Sequence, residues 1–299
     1  MKSFGRLTIF LLATSVLSVA AQVTPTGKWT IETFVDYGFI DANVVYSTVG
    51  GKPITLDVYQ PKSSVRTIRP TLIFIHGGGW RRGSKEMYSL RVLPWLEKGW
   101  NVVNVEYRLT PEALAPAAVE DCHCALQWIY RNATKYGVDL EKIVVSGQSA
   151  GGHLALMTGL AGKENLFDRS CPGPMPRVAA VINWFGITEV GDLLTGNNKM
   201  EFATQWIGEG RLNDSKFITS VSPVSYIEKG IPPVITVHGD ADSTVPYAQA
   251  VLLHQKLEAI KIPNRLVTIP GGDHGDFSKE QSVRAYQEVF SFLTRLGIN

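Results

Sequence analysis

The most constraining feature of the chain is Gly147-Gln148-Ser149-Ala150-Gly151. It lies between the apolar run Ile143-Val144-Val145 and an Ala-, Leu- and Gly-rich stretch from Gly152 to Leu160. The run reads as a short buried strand and the stretch as a helix. A Gly-x-Ser-x-Gly at a strand-to-helix junction is a nucleophile elbow, a turn so tight that the neighbours of the serine carry almost no side chain. Gly147 and Gly151 supply that clearance. Gly152 lets the helix pack closely on the sheet.

Around the elbow, apolar runs alternate with helical patterns. Residues 37–46 and 53–60 alternate in hydrophobicity like antiparallel edge strands. Residues 71–75, 101–105, 142–146, 178–182, 234–238 and 265–269 read as the remaining strands, several of them apolar without a break, as strands covered on both faces are. Helices are expected over about 116–132, the elbow stretch, 246–259 and 278–296. Strands alternating with helices imply an α/β fold, a mostly parallel sheet with helices on both faces. In such sheets the chemistry gathers beyond the carboxyl ends of the strands. Residues 186–230 break the rhythm. They carry Leu193, Leu194, Phe202, Trp206 and Ile207 without a buried strand, and read as a small helical cap insert over the site.

The N-terminus reads as a signal peptide over residues 1–21. Lys2 and Arg6 form a positive start, Leu7 to Val19 is uncharged and too short for a comfortable membrane span, and Val19-Ala20-Ala21 offers small residues before cleavage at Gln22. The expectation is a secreted or periplasmic product with no membrane contact after cleavage. Residues 22–299 then form a single catalytic domain, led in by a loosely structured segment over 22–35. The net charge of +2 gives no reason to expect nucleic acid or a strongly anionic partner. Of the cysteines, Cys122 and Cys124 point in different directions on a helix. Either one of them pairs with Cys171, or all three stay free; spacing does not choose. Neither cysteines nor histidines have the spacing of a metal site, so no metal is expected.

Ser149 needs a base to become a nucleophile. After such an elbow the acid and then the histidine follow in chain order. His274, in Pro270-Gly-Gly-Asp-His-Gly after the last strand, is the candidate base. The preceding strand ends in His238-Gly-Asp-Ala-Asp-Ser, where Asp242 is the candidate acid and Asp240 a brace for the turn. Asp276 reads as a loop or solvated carboxylate, and His76 and His238 as structural hydrogen-bonding residues. His76-Gly77-Gly78-Gly79-Trp80 follows the first long buried strand. Its serial glycines expose backbone N–H groups, so Gly78 and Gly79, with Ala150, are the candidate oxyanion-hole donors. No Gly-Lys-Ser/Thr follows, which argues against a phosphate loop. Trp80, Phe202 and Trp206 are the candidate substrate-binding aromatics.

These stretches resemble the α/β-hydrolase superfamily. With Asn104-Val-Glu-Tyr-Arg-Leu109 and Pro116-Ala-Ala-Val-Glu-Asp-Cys122 added, the chain is similar over about residues 50–295 to secreted carbohydrate esterases of bifunctional acetyl/feruloyl type, near the hormone-sensitive-lipase-like esterases. The resemblance implies cofactor-free hydrolysis of acetyl or feruloyl esters on plant polysaccharides such as xylan. Gln148 departs from the acidic residue of the lipase-like branch, and a large N-terminal cap is missing. Both departures point to an open site for short or bulky polar esters. An exported aryl-formamidase or a peptidase-like hydrolase shares the same constellation. A non-catalytic binding protein on this fold is the reading of another class.

Overall fold

The computed structural model describes residues 39–62, 67–161, 167, 171, 173 and 175–299. The expected signal peptide and the lead-in segment lie outside them. Eight strands form one sheet: β1 (Phe39–Val49), β2 (Lys52–Gln60), β3 (Arg69–Ile75), β4 (Asn101–Val105), β5 (Val138–Gln148), β6 (Ala180–Trp184), β7 (Val234–Gly239) and β8 (Asn264–Ile269). Their spatial order is β1-β2-β4-β3-β5-β6-β7-β8. The β1–β2 hairpin and the β2–β4 pair are antiparallel, and every pair from β4 to β8 is parallel. Parallel neighbours need crossovers, and helices supply them.

The helices are α1 (Leu93–Glu97), α2 (Ala117–Tyr136), α3 (Ala150–Leu160), α4 (Glu201–Ile207), α5 (Ser215–Ser220), α6 (Tyr247–Ala259) and α7 (Lys279–Arg295). Successive side chains of a strand face opposite sides of the sheet, so the core divides in two. Ile73 and Ile75 of β3 pack in one cluster with residues of α2, α3 and α6. Leu72 and Phe74 pack in the other with residues of α1 and α7. Helix α7 opens with a reciprocal cap between Ser278 and Gln281.

A 3-10 helix over Glu86–Val92 runs into α1, a stretch that sequence reading leaves as a plain connection between β3 and β4. It is too short to show a helical period, yet Val92, Leu93, Trp95 and Leu96 are buried. Residues 186–230 hold 3-10 turns and the short helices α4 and α5. Cys124 pairs with Cys171, Cα to Cα 5.3 Å, and Cys122 is a buried free thiol. No helix among the described residues is long and apolar enough to cross a membrane.

At the elbow, backbone meets backbone. A Cβ on Gly147 would stand 2.1 Å from the Gly151 carbonyl oxygen, and one on Gly151 would stand 2.1 Å from that of Ile75 and 2.4 Å from that of His76. None of these atoms ends a flexible side chain, so relief requires α3 to move off β3 and β5. Gly151→Ala is therefore expected to destabilise the fold by about 2 kcal/mol or more in chemical denaturation, as overpacking does. Gly210→Ala, where nothing lies within 4 Å, should stay within about 0.5 kcal/mol of the parent. Equal stability of the two variants would contradict the packing described.

Candidate active site

Ser149 joins β5 to α3 with φ 55° and ψ −121°. A residue with a side chain rarely adopts positive φ. Among the described residues, three of the five non-glycine residues that do so, Trp80, Ser149 and Phe185, follow the carboxyl ends of β3, β5 and β6. Backbone strain is thus concentrated on one edge of the sheet, as it often is at functional sites.

The loops after β7 and β8 bring two further groups to Ser149. His274 Nε2 lies 2.8 Å from Ser149 Oγ, and His274 Nδ1 lies 2.8 Å from Asp242 Oδ2. The carboxylate only accepts, so Nδ1 carries the hydrogen and Nε2 is left to accept from the serine hydroxyl. Asp242 is fully buried. Its Oδ1 accepts from the N–H groups of Thr244 and Val245 at 2.8 Å each, and its Oδ2 also faces His238 Nε2 at 3.1 Å. Burial alone pushes this carboxyl up. The hydrogen bonds from His238 and His274 outweigh it and hold the group well below the usual carboxylate range. Asp240 accepts from the Gly271 N–H at 2.7 Å and ties the two loops together. Asp276 is exposed. Asp273, not singled out from sequence, accepts from the Ser243 N–H and the His274 N–H at 2.8 Å each.

The glycine loop after β3 passes beside the elbow. A Cβ on Gly77 would lie 2.7 Å from the Gln148 carbonyl oxygen and 3.4 Å from Ser149 Cβ. Gly78 and Gly79 have φ of 120° and 62°, and a Cβ on Gly78 would lie 1.9 Å from the Arg82 carbonyl oxygen. Ala150 is the first residue of α3, where N–H groups lack an intrahelical partner. Below the loop, buried His76 stacks on Tyr107 at 4.3 Å, with Nε2 3.2 Å from Glu106 Oε1 and Nδ1 2.8 Å from the Gly77 carbonyl. The other Glu106 oxygen accepts from the Lys85 N–H at 3.0 Å, and buried Lys85 Nζ reaches Asp57 at 2.8 Å and Asn43 at 2.9 Å. His76 and His238 are both braces.

Ser149 and His274 open into a cleft of about 440 Å³. Gly78, Gly79 and Phe202 line it. So do Phe185, whose ring meets His274 edge-on at 4.9 Å, and Tyr88. Phe185 is not among the residues singled out from sequence, although its place just past β6 is a usable signal. Trp80 and Trp206 do not line the cleft, contrary to expectation. They are 0% and 1% exposed, and stack on each other at 4.2 Å and 11°. Stacked rings add to the stabilisation that burial of each indole brings. His153 of α3 meets both edge-on, at 5.0 and 5.1 Å, and its Nε2 bonds to the Val221 carbonyl at 2.8 Å. The indoles therefore seat the 186–230 segment on the sheet.

His153 Nδ1 is buried with no hydrogen-bond partner among the described residues. Burial lowers its pKa to about 4 from 6.5, partly offset by the Val221 carbonyl. The unfolded chain takes up this proton at a higher pH than the folded one. The stability linked to His153 is thus complete above about pH 6.5 and is lost as pH falls from 6.5 towards 4, by about 3 kcal/mol. Denaturation at pH 7, 5.5 and 4.5 should show a shallower loss in His153→Gln than in the parent. Parallel curves would contradict this role.

The BD-FAE family model matches residues 56–257. Esterase LipC of Mycobacterium tuberculosis (strain ATCC 25618 / H37Rv) is 29% identical over 226 residues, 74% of this chain and 56% of LipC. The chain spans about half the length of the curated relatives it matches, 56%, 49% and 53% for the first three. A truncated form of carbohydrate esterase from gut microbiota shares the fold at TM-score 0.76 and 24% identity, over 88% of this chain and 98% of that one. Est2, an esterase of the Planctomycetes species Thermogutta terrifontis solved with propionate bound, reaches TM-score 0.72 at 26% identity, over 85% of this chain and 93% of its own. Matched from β2 into α6, with these neighbours about it, the chain belongs to the BD-FAE family and has the α/β-hydrolase fold.

Proposed function

We propose that this protein is a serine carboxylesterase that hydrolyses short-chain acyl or feruloyl esters, carried on plant polysaccharides such as xylan, after export from the cell. The observation that carries the reading is the unbroken hydrogen-bond chain Ser149 Oγ–His274 Nε2 and His274 Nδ1–Asp242 Oδ2. In this scheme His274 accepts the hydroxyl proton as Ser149 Oγ attacks the ester carbonyl. The N–H groups of Gly78, Gly79 and Ala150 stabilise the oxyanion. His274 then protonates the leaving alcohol, and water, activated by the same ring, releases the acid from the acyl-enzyme. Asp242 holds the imidazole orientation and stabilises its charge. No cofactor takes part.

The substrate class rests on the cleft. Its volume of about 440 Å³ and its mixed lining of arginines and aromatic rings suit a short acyl group attached to a bulky alcohol better than a long chain. Phe185, Phe202 and Tyr88 offer faces for a feruloyl or sugar ring. The curated relative LipC is named an esterase, and the Thermogutta terrifontis structure holds the short acid propionate, which supports short acyl groups here. Export rests on the N-terminal pattern of Lys2, Arg6 and the apolar run to Val19, and it fits a polymer that cannot enter a cell.

Turnover of p-nitrophenyl esters tests the assignment. Ser149→Ala and His274→Ala should each lose on the order of 10³–10⁶-fold in kcat, and Asp242→Asn less. Asp240→Asn should keep most of the activity. Acetate to butyrate should be cleaved well and chains beyond about ten carbons poorly, since a cleft of about 440 Å³ also has to hold the alcohol. A folded Asp240 variant far worse than the Asp242 variant, or an optimum on long chains, would contradict the reading.

A further inference from the structure

The cleft beside Ser149 is asymmetric in charge. Across the whole chain Lys and Arg number 29 and Asp and Glu 27, close to balance. Yet Arg81, Arg82 and Arg91 all line this one cleft, and none of its described lining residues is Asp or Glu. The Asp242 carboxylate behind His274 is buried and already accepts from Thr244, Val245 and His274.

The arginines are held in place from the backbone outward. The N–H groups of Arg81 and Arg82 both donate to the Gly78 carbonyl, at 3.3 and 3.2 Å, within the turn that carries the proposed oxyanion donors. Arg81 also donates to Gln205 Oε1 at 3.0 Å. Arg91 stands on the 3-10 helix Glu86–Val92 across the cleft. All three side chains are exposed. A carboxylate is the planar partner that a guanidinium binds through two parallel N–H···O bonds, and like charges gathered in a cleft raise the local concentration of an anion.

We propose that Arg81, Arg82 and Arg91 select ester substrates that bear a carboxylate close to the scissile bond, such as an acylated saccharide containing a uronic acid. The proposal rests on the esterase reading above and narrows its substrate class. The hydroxyl attack and acyl transfer are unchanged; the arginines only position the anionic end.

The test compares 4-acetoxybenzoate with its neutral methyl ester, and acetylated oligogalacturonate with acetylated xylo-oligosaccharide, in the parent and in the double variant Arg82→Gln/Arg91→Gln. The readout is the anionic-to-neutral ratio of kcat/KM, which cancels any general change in activity. The ratio should fall by about tenfold in the double variant for at least one pair, as loss of a charge-assisted contact does. The remote variant Arg295→Gln should leave it unchanged, and added NaCl should lower the ratio of the parent. A fall confined to the saccharide pair identifies a uronic acid as the source of the carboxylate, and one confined to the small pair an aromatic acid. An unchanged ratio in both pairs, with neutral esters still hydrolysed, overturns this inference and leaves the esterase reading standing. Failure of the parent to hydrolyse any of the four esters overturns both.

Discussion

Everything at the site depends on the crowding of backbone at one turn. Ser149 is held at φ 55° between Gly147 and Gly151, each packed against backbone carbonyl oxygens of the turn or of the end of β3 at distances no Cβ tolerates. A strained turn of this kind persists only when its surroundings over-determine it. Here they do. The Ser149 N–H donates to the Trp184 carbonyl at 2.9 Å, α3 begins at the next residue, and β3 and β6 flank β5. The consequence is a hydroxyl that projects from the carboxyl edge of the sheet, where the loops after β7 and β8 meet it. Parallel strands end on the same side, so His274 and Asp242, 125 and 93 residues away from Ser149 in sequence, converge without any long excursion of the chain.

Much of this was legible in the residues. The apolar runs at 71–75, 101–105 and 234–238 are strands within a residue or two of their expected ends, because each is short, rich in Val and Ile and unbroken, as a strand covered on both faces is. The acid and the histidine were placed by chain order, and the geometry joins both to Ser149. The matched family region ends at residue 257, so His274 is reached by geometry and not by that match. What sequence missed has local causes. The 86–97 helical stretch is too short for a period. The pairing of Cys124 rather than Cys122 depends on which helix face meets Cys171, a tertiary fact.

Of the three aromatics expected to bind substrate, Phe202 lines the cleft and the two tryptophans do not. An indole beside a catalytic loop suits a ligand and suits a hydrophobic seam equally well; only the partner ring decides. Trp80 and Trp206 found each other, with His153 beneath, and became the joint between the glycine loop, α3 and the 186–230 segment. The aromatic rings that line the cleft are Phe185, Phe202 and Tyr88. A balanced total of charges conceals three arginines that the turn after Gly78 and the helix over Glu86–Val92 bring to one cleft.

The central claim is that the elbow presents Ser149 as a nucleophile activated by His274. The most direct measurement is mass spectrometry with peptide mapping after exposure to a serine-directed organophosphate such as diethyl p-nitrophenyl phosphate. The account predicts a single diethylphosphoryl adduct per chain, located on Ser149, formed in step with loss of esterase activity and suppressed in His274→Ala. An unlabelled Ser149 in folded protein, or labelling that proceeds as fast without His274, would contradict it.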